Sequence, residues 1–139
     1  MSANYSASKG AVIAFTRQGA AEYGGDGIRF NAICPGWHLG TELGREEVGT
    51  QTPEQIETFL AKLHELTPMG RTGEPAELAG LVVYLASDAS SFLTGQVIAN
   101  DGGWSAIWVG GVGDRELGTG VYLVNCHRNF LTLIFARSV

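Results

Sequence analysis

Residues 28–36 read IRFNAICPG. Ile28, Phe30, Ala32 and Cys34 are apolar at every second position, which is the period of a strand, and the segment reads as a buried strand over 28–34. Pro35-Gly36 ends it, because proline has no N–H to continue a ladder and glycine opens a turn. The stretch before it has a different character. From Tyr5 to Tyr23, Ala7, Ala11, Ala14, Ala20 and Ala21 favour helix, and Gly24-Gly25 stops it. The side chains of that helix are small along much of its length, so another helix could approach it closely. A helix delivered into a strand that stops in Pro-Gly is one unit of a layered α/β domain.

Downstream, Trp37 to Gln51 contains Gly40, Gly44 and Gly49 without a clear period and reads as an irregular loop long enough to carry function. Thr52-Pro53-Glu54-Gln55 then has the form of a capping box with proline at the first helical position, and Ile56, Phe59, Leu60 and Leu63 fall on one face of the helix it starts. After Pro68-Met69-Gly70-Arg71, a third helix begins at Pro75 with Leu78, Leu81, Val82 and Leu85 at the same spacing. Gly95 to Asn100 is a second short strand, closed by Asp101-Gly102-Gly103. The order helix, strand, loop, helix, helix, strand predicts a parallel sheet flanked by helices.

Composition narrows the partners. A chain of 139 residues with 45% hydrophobic and 17% charged residues has one soluble domain's worth of core. Nine Lys and Arg against fourteen Asp and Glu leave a net charge of -5, and the cations form no stripe. Neither nucleic acid nor a membrane is therefore expected as a partner. Cys34 and Cys126 lie far apart and form no disulfide framework, so a cytoplasmic location is expected. Cys126-His127 supplies two neighbouring donors, which alone make no metal site, and no metal is expected.

The helix that precedes the quoted strand carries chemistry. Tyr5 and Lys9 stand four apart, about one helical turn, so a phenol and an ammonium share a face. A phenol titrates near pH 10, and bringing it two or three pH units toward neutrality takes roughly 3 to 4 kcal/mol of preference for its anion. A nearby cation in a partly buried site supplies that; at a wet surface the same two residues are an inert pair.

Five segments then form a pattern: Tyr5-Ser-Ala-Ser-Lys9, Asn31-Ala-Ile-Cys-Pro35-Gly36, Pro68-Met-Gly-Arg71-Thr-Gly73-Glu-Pro75, Leu85-Ala-Ser-Asp88, and Leu93-Thr-Gly95-Gln96 through Asp101-Gly102-Gly103. In this order and at these separations they resemble the second half of a short-chain dehydrogenase/reductase. The resemblance covers roughly residues 2 to 106. It implies an α/β fold, the C-terminal half of a Rossmann-like, NAD(P)-binding, doubly wound parallel sheet that is seven-stranded in the family. Residues 1–106 are thus expected as that half domain and 107–139 as an extension of unknown structure.

The resemblance also implies an activity, the interconversion of an alcohol and a ketone by hydride transfer with NAD or NADP. Tyr5 would be the acid/base, and Lys9 would favour its anion and hold the nicotinamide ribose. Backbone around Ile33, Pro35 and Gly36 would touch the nicotinamide, and the Thr41 hydroxyl its amide or the pyrophosphate, although four residues separate Gly36 from Thr41 where the family usually has three. Trp37 and His38 would line the substrate side, and the loop and helix from Glu42 to Leu66 resemble the variable lid over the substrate. Asn31, Arg71 and Asp101 are expected to be structural, tying loops and strand ends together.

The departures are as informative. The family's glycine-rich cofactor turn and its carbonyl-orienting serine have no match; Ser2 stands too close to Tyr5, and Gly111 to Gly120 has the wrong spacing. The chain therefore reads as part of a larger enzyme, shortened by a gene model that begins at an internal Met, with little activity alone. The alternative is a non-catalytic short protein that docks onto full-length relatives through its first and third helices. A homo-oligomer, or association with such relatives, is expected in either case, because helix faces meant for a larger sheet stay uncovered. In the extension, Val121 to Val124 and Leu131 to Phe135 are strand-like, and one of them is expected to cover the sheet edge left open.

Overall fold

The fold is that of a computed structural model, which describes residues 3–39, 49, 51–106 and the strand 131–136. Ser2, Thr41, the glycine-rich stretch from Gly111 to Gly120, the strand-like Val121 to Val124 and the Cys126-His127 pair lie outside the described residues. Helix α1 spans Ala3–Tyr23. It gives way to a 3-10 turn at Gly24–Asp26 and to Gly27, whose φ of 76° is left-handed. Gly27, more than the pair before it, reverses the chain, since a side chain there would be strained.

The strand β1 (Ile28–Pro35) is the middle of a three-stranded sheet of order β2-β1-β3. β2 (Gln96–Asn100) runs parallel to it, from Asn31 opposite Gln96 to Pro35 opposite Asn100. β3 (Leu131–Ala136) runs antiparallel along the other edge, with Ile28 opposite Ala136 and Ile33 opposite Leu131. The parallel sheet expected from the element order is thus present in β1 and β2, whereas β3 makes the whole sheet mixed.

Both faces of β1 are covered. Phe30, Asn31, Ala32, Ile33 and Cys34 are all buried, not only the alternate residues. Phe30 points at α1, where Gly19 leaves room for its ring, and it also meets Phe15 edge-on at 5.8 Å and stacks with Tyr23 at 6.0 Å. The small residues of α1 therefore serve a strand side chain at this point. Arg29 and Asn31 point the other way. Arg29 Nη2 donates to Leu85 O at 2.6 Å and Nη1 to Leu93 O at 3.1 Å, which ties β1 to helix α3 (Ala79–Ala86) and the turn after it.

The expected helix starting at Pro75 is present with a tighter beginning. Pro75–Leu78 is a 3-10 turn, and the α-helical part starts at Ala79. The reason is local: Glu77 is drawn back toward Glu74 and Arg71, so its N–H bonds to Glu74 O three residues before it, at 2.9 Å. Helix α2 occupies Pro53–Leu66, and its capping box is formed, with Thr52 N–H donating to Gln55 Oε1 at 2.9 Å. Among the described residues no helix is long and apolar enough to cross a membrane.

Candidate active site

Tyr5 and Lys9 lie in the first turns of α1, both half-buried. The Tyr5 hydroxyl oxygen is out of contact with solvent. The Lys9 ammonium stands over the Tyr5 ring, 5.2 Å from its centroid, as the one-turn spacing requires. The arrangement is a partly buried cation against a phenol rather than two extended surface side chains.

Helix and strand lengths decide where this pair sits. The reversal at Gly27 lays α1 antiparallel along β1, with Gly19 level with Phe30. Going back from Gly19 to Tyr5 covers about 21 Å of helix, and going forward from Phe30 to Gly36 covers about 20 Å of strand. The phenol therefore lies toward the carboxyl end of β1, the end at which open α/β sheets take their ligands.

At that end the sheet's backbone is firmly held. Ile33 is fully buried and pairs with Ile98. Pro35 is opposite Asn100, and the Gly36 N–H donates to Asn100 O at 2.9 Å. The Gly36 carbonyl faces His38 Nδ1 at 3.2 Å, so it accepts from that nitrogen when the nitrogen is protonated. A Cβ on Gly36 would come within 2.7 Å of the Asp101 Cα, so glycine is needed here for the approach of the next loop as well as for any ligand. Asp101 fixes that loop by accepting from Gly103 N–H at 2.9 Å and Ser105 N–H at 2.8 Å.

Trp37 and His38 follow at once. Gly73 N–H donates to Trp37 O at 2.8 Å and Leu39 N–H to Gly73 O at 3.1 Å, a short parallel bridge that pins the loop after β1 to the loop before α3. The His38 imidazole packs against Gly73 so closely that a Cβ there would meet it at 2.7 Å. Trp37, His38, Arg71, Glu77, Asn100 and Asp101 line a cavity of about 230 Å³. Arg71 and Glu77 form a bidentate pair at 2.7 and 2.8 Å beside it. That pairing, with the Glu74 N–H, pulls the Glu77 carboxyl down to about 2.

The site residues expected from sequence thus fall into two groups. Tyr5 with Lys9 forms one, and Trp37 with His38 and the end of β1 forms the other; Thr41 lies outside the described residues. Asn31, Arg71 and Asp101 have the structural bonds expected of them: Asn31 Nδ2 donates to Leu93 O at 2.9 Å, and its Oδ1 accepts from Gln96 N–H at 3.1 Å. Sequence reading missed Glu77 and Trp104. Glu77 was open to detection as the third residue after Glu74 in a helix start, whereas Trp104, whose ring meets Trp37 at 6.2 Å, gave no signal.

Comparison with known proteins places this geometry. Residues 1–105 match the family model described as enoyl-(acyl carrier protein) reductase. The chain is 46% identical over 105 residues to galactitol 2-dehydrogenase (L-tagatose-forming) of Cereibacter sphaeroides, covering 76% of this chain and 38% of that protein. It is 45% identical over 106 residues to inactive 2-(S)-hydroxypropyl-CoM dehydrogenase 2 of Xanthobacter autotrophicus, covering 76% of this chain and 44% of that one. The chain therefore spans less than half the length of these relatives. Among solved structures it is similar to a gluconate 5-dehydrogenase from Burkholderia cenocepacia in complex with NADP and tartrate, with a TM-score of 0.66 and 33% identity over 76% of this chain and 39% of that one.

Proposed function

Because the chain belongs to the short-chain dehydrogenase/reductase family, we propose that it carries the acid/base half of an NAD(P)-dependent oxidoreductase acting on CH–OH groups. The observation that supports this reading most is the half-buried Tyr5, its hydroxyl shielded from solvent and its ring under the Lys9 ammonium. A positive charge held against the ring favours the phenolate. Tyr5 can then take the hydroxyl proton of an alcohol, or return one to a carbonyl oxygen.

The residues present suit the nicotinamide end of a dinucleotide. When bound, the nicotinamide supplies the hydride donor or acceptor. Lys9 would hold its ribose, the backbone about Ile33, Pro35 and Gly36 would bear on the ring, and Thr41 would add a hydroxyl. Trp37 and His38 would face the small alcohol or carbonyl substrate. NADP lies in the similar gluconate 5-dehydrogenase, which supports NAD(P) here without choosing between its two forms. A cytoplasmic setting fits these soluble cofactors.

The finer reading is that the 139-residue chain by itself turns over little or nothing, since it spans less than half of its relatives' length. A second reading is non-catalytic, a chain that associates with full-length family members or with itself. It is favoured by one observation, that a relative 45% identical is named inactive. Assaying the oxidation of a polyol panel with NAD(P)+, followed as NAD(P)H formed, separates the two. Co-expression with a full-length relative whose own acid/base tyrosine has been replaced should yield activity that Tyr5→Phe in this chain removes if this chain contributes the proton-transfer group. Activity indifferent to Tyr5→Phe sinks the catalytic reading.

A further inference from the structure

β1 has the burial of a strand inside a larger sheet than the one it stands in. Phe30 through Cys34 are buried in an unbroken run, as in a strand covered on both faces. β2 differs: Gln96 and Ala99 are exposed, and among the described residues it is a terminal strand of the order β2-β1-β3. A larger sheet therefore continues past β1, through the place that β3 occupies. β3 comes from beyond residues 1–105, the span that matches the family model, and it lies antiparallel beside a parallel pair. The neighbour of β1 on this side is thus supplied from outside the family match.

A six-residue strand answers only part of what this edge presents. Its ladder, from Ile28 opposite Ala136 to Ile33 opposite Leu131, takes up backbone groups of β1. Apolar surface on α1 stays in water. Phe15 meets Phe30 edge-on and Tyr23 stacks with it, yet with β3 in place the two remain 56% and 45% exposed. A strand edge with an apolar helix surface beside it is the receiving side of a β-augmentation site. The partner that fits both is a strand carrying its own helix rather than a bare peptide.

We propose that the edge of β1 from Ile28 to Ile33 is a docking edge for an apolar strand of a complementary α/β half-domain, and that β3 is its resident competitor, which leaves when that strand pairs. β3 holds the edge because it belongs to the same chain, which gives it a local concentration that a separate strand lacks. It also keeps the edge from recruiting further copies. The kind of partner rests on the dehydrogenase reading above. The exchange of strands is read without any activity, so each fails independently of the other.

The test co-expresses the full 139-residue chain with the portion of galactitol 2-dehydrogenase that it does not match. The parent is compared with Leu133→Pro and with the milder Leu133→Gly, which keeps its N–H. Capture of that portion through a tag on this chain should rise about tenfold in Leu133→Pro, because the competing strand is weakened, and by less in Leu133→Gly. Hydrogen exchange on the Leu133→Gly complex identifies the edge: amides of residues 131 to 136 should lose protection while those of Ile28 to Ile33 keep it. Should Leu133→Pro not stay soluble, Leu133→Gly carries the comparison. Equal capture by the parent and Leu133→Gly, capture by neither, or β3 amides that stay protected in the complex overturns the proposal.

Discussion

Gly19 of α1 lies so close to Phe30 of β1 that a Cβ on Gly19 would stand 2.6 Å from two carbons of the ring. Alanine within a helix normally stabilises by about 1 kcal/mol relative to glycine. Here it should destabilise by roughly 1 to 3 kcal/mol, because the ring is buried and flanked by Phe15 and Tyr23. Urea denaturation of Gly19→Ala checks this, and adding Phe30→Leu should recover part of the loss. A Gly19→Ala chain more stable than the parent would show that the contact is loose.

Asn31 is buried and uses both ends of its amide, one on Leu93 O and one on the Gln96 N–H. Asn31→Ala leaves the Gln96 amide without that part-buried acceptor, at a cost of about 1 to 3 kcal/mol. Asn31→Asp should lose at least as much, since a carboxylate oxygen then faces the Leu93 carbonyl. A denaturation midpoint within error of the parent for Asn31→Ala would contradict this role.

The Arg71–Glu77 pair makes stability depend on acid. Glu77 titrates at about 2 in the fold against an ordinary value of 4.5, chiefly through its bond to Arg71. A lowered carboxyl value means a contribution that is complete above pH 4.5 and is lost as the pH falls through 2. Both side chains are about half exposed, at 49% and 42%, so salt should screen the effect. The melting temperature of Glu77→Gln should therefore fall less than the parent's between pH 5 and 2, and less again at high salt. Parallel pH profiles would remove the pair from any account of acid stability.

Pairing with β3 should protect the β1 edge. Amides along Leu131–Ala136 that face β1 should exchange slowly, together with their partners from Ile28 to Ile33. Leu133→Pro breaks the ladder at its middle and should promote aggregation, since an unpaired edge recruits other chains. Rapid exchange throughout residues 131 to 136 would count against the pairing.

Phe15 on α1 and Val83 on α3 are 56% and 66% exposed, on opposite faces of the sheet, and Phe92 is wholly exposed. Burying such surface against a second copy is the expected outcome, seen as a sedimentation coefficient that rises with concentration. Phe15→Ser and Val83→Ser should reduce it. A single monomeric species with cooperative unfolding at micromolar concentration would argue for a self-sufficient fold.

Much of this was written in the order of residues. The alanine-rich helix, the strand from Ile28, the Thr52 capping box and the Pro75 start are local preferences, and each formed where its own sequence placed it, within a turn. Tyr5 and Lys9 share a face because four residues are one turn of helix, whatever surrounds them.

Three things were decided only by packing across the chain. Asn31 and Ile33 are buried because helices cover both faces of β1, which no alternating pattern announces. That β3 pairs with β1, and antiparallel to it, is a property of the assembled sheet rather than of the residues Leu131–Ala136 alone. The aromatic contacts of Trp37 with Phe59 and Trp104 bring together side chains 22 and 67 positions away in sequence. Spacing along a chain determines what one element can present on its own faces, but which element it meets is set by the closing of the whole sheet.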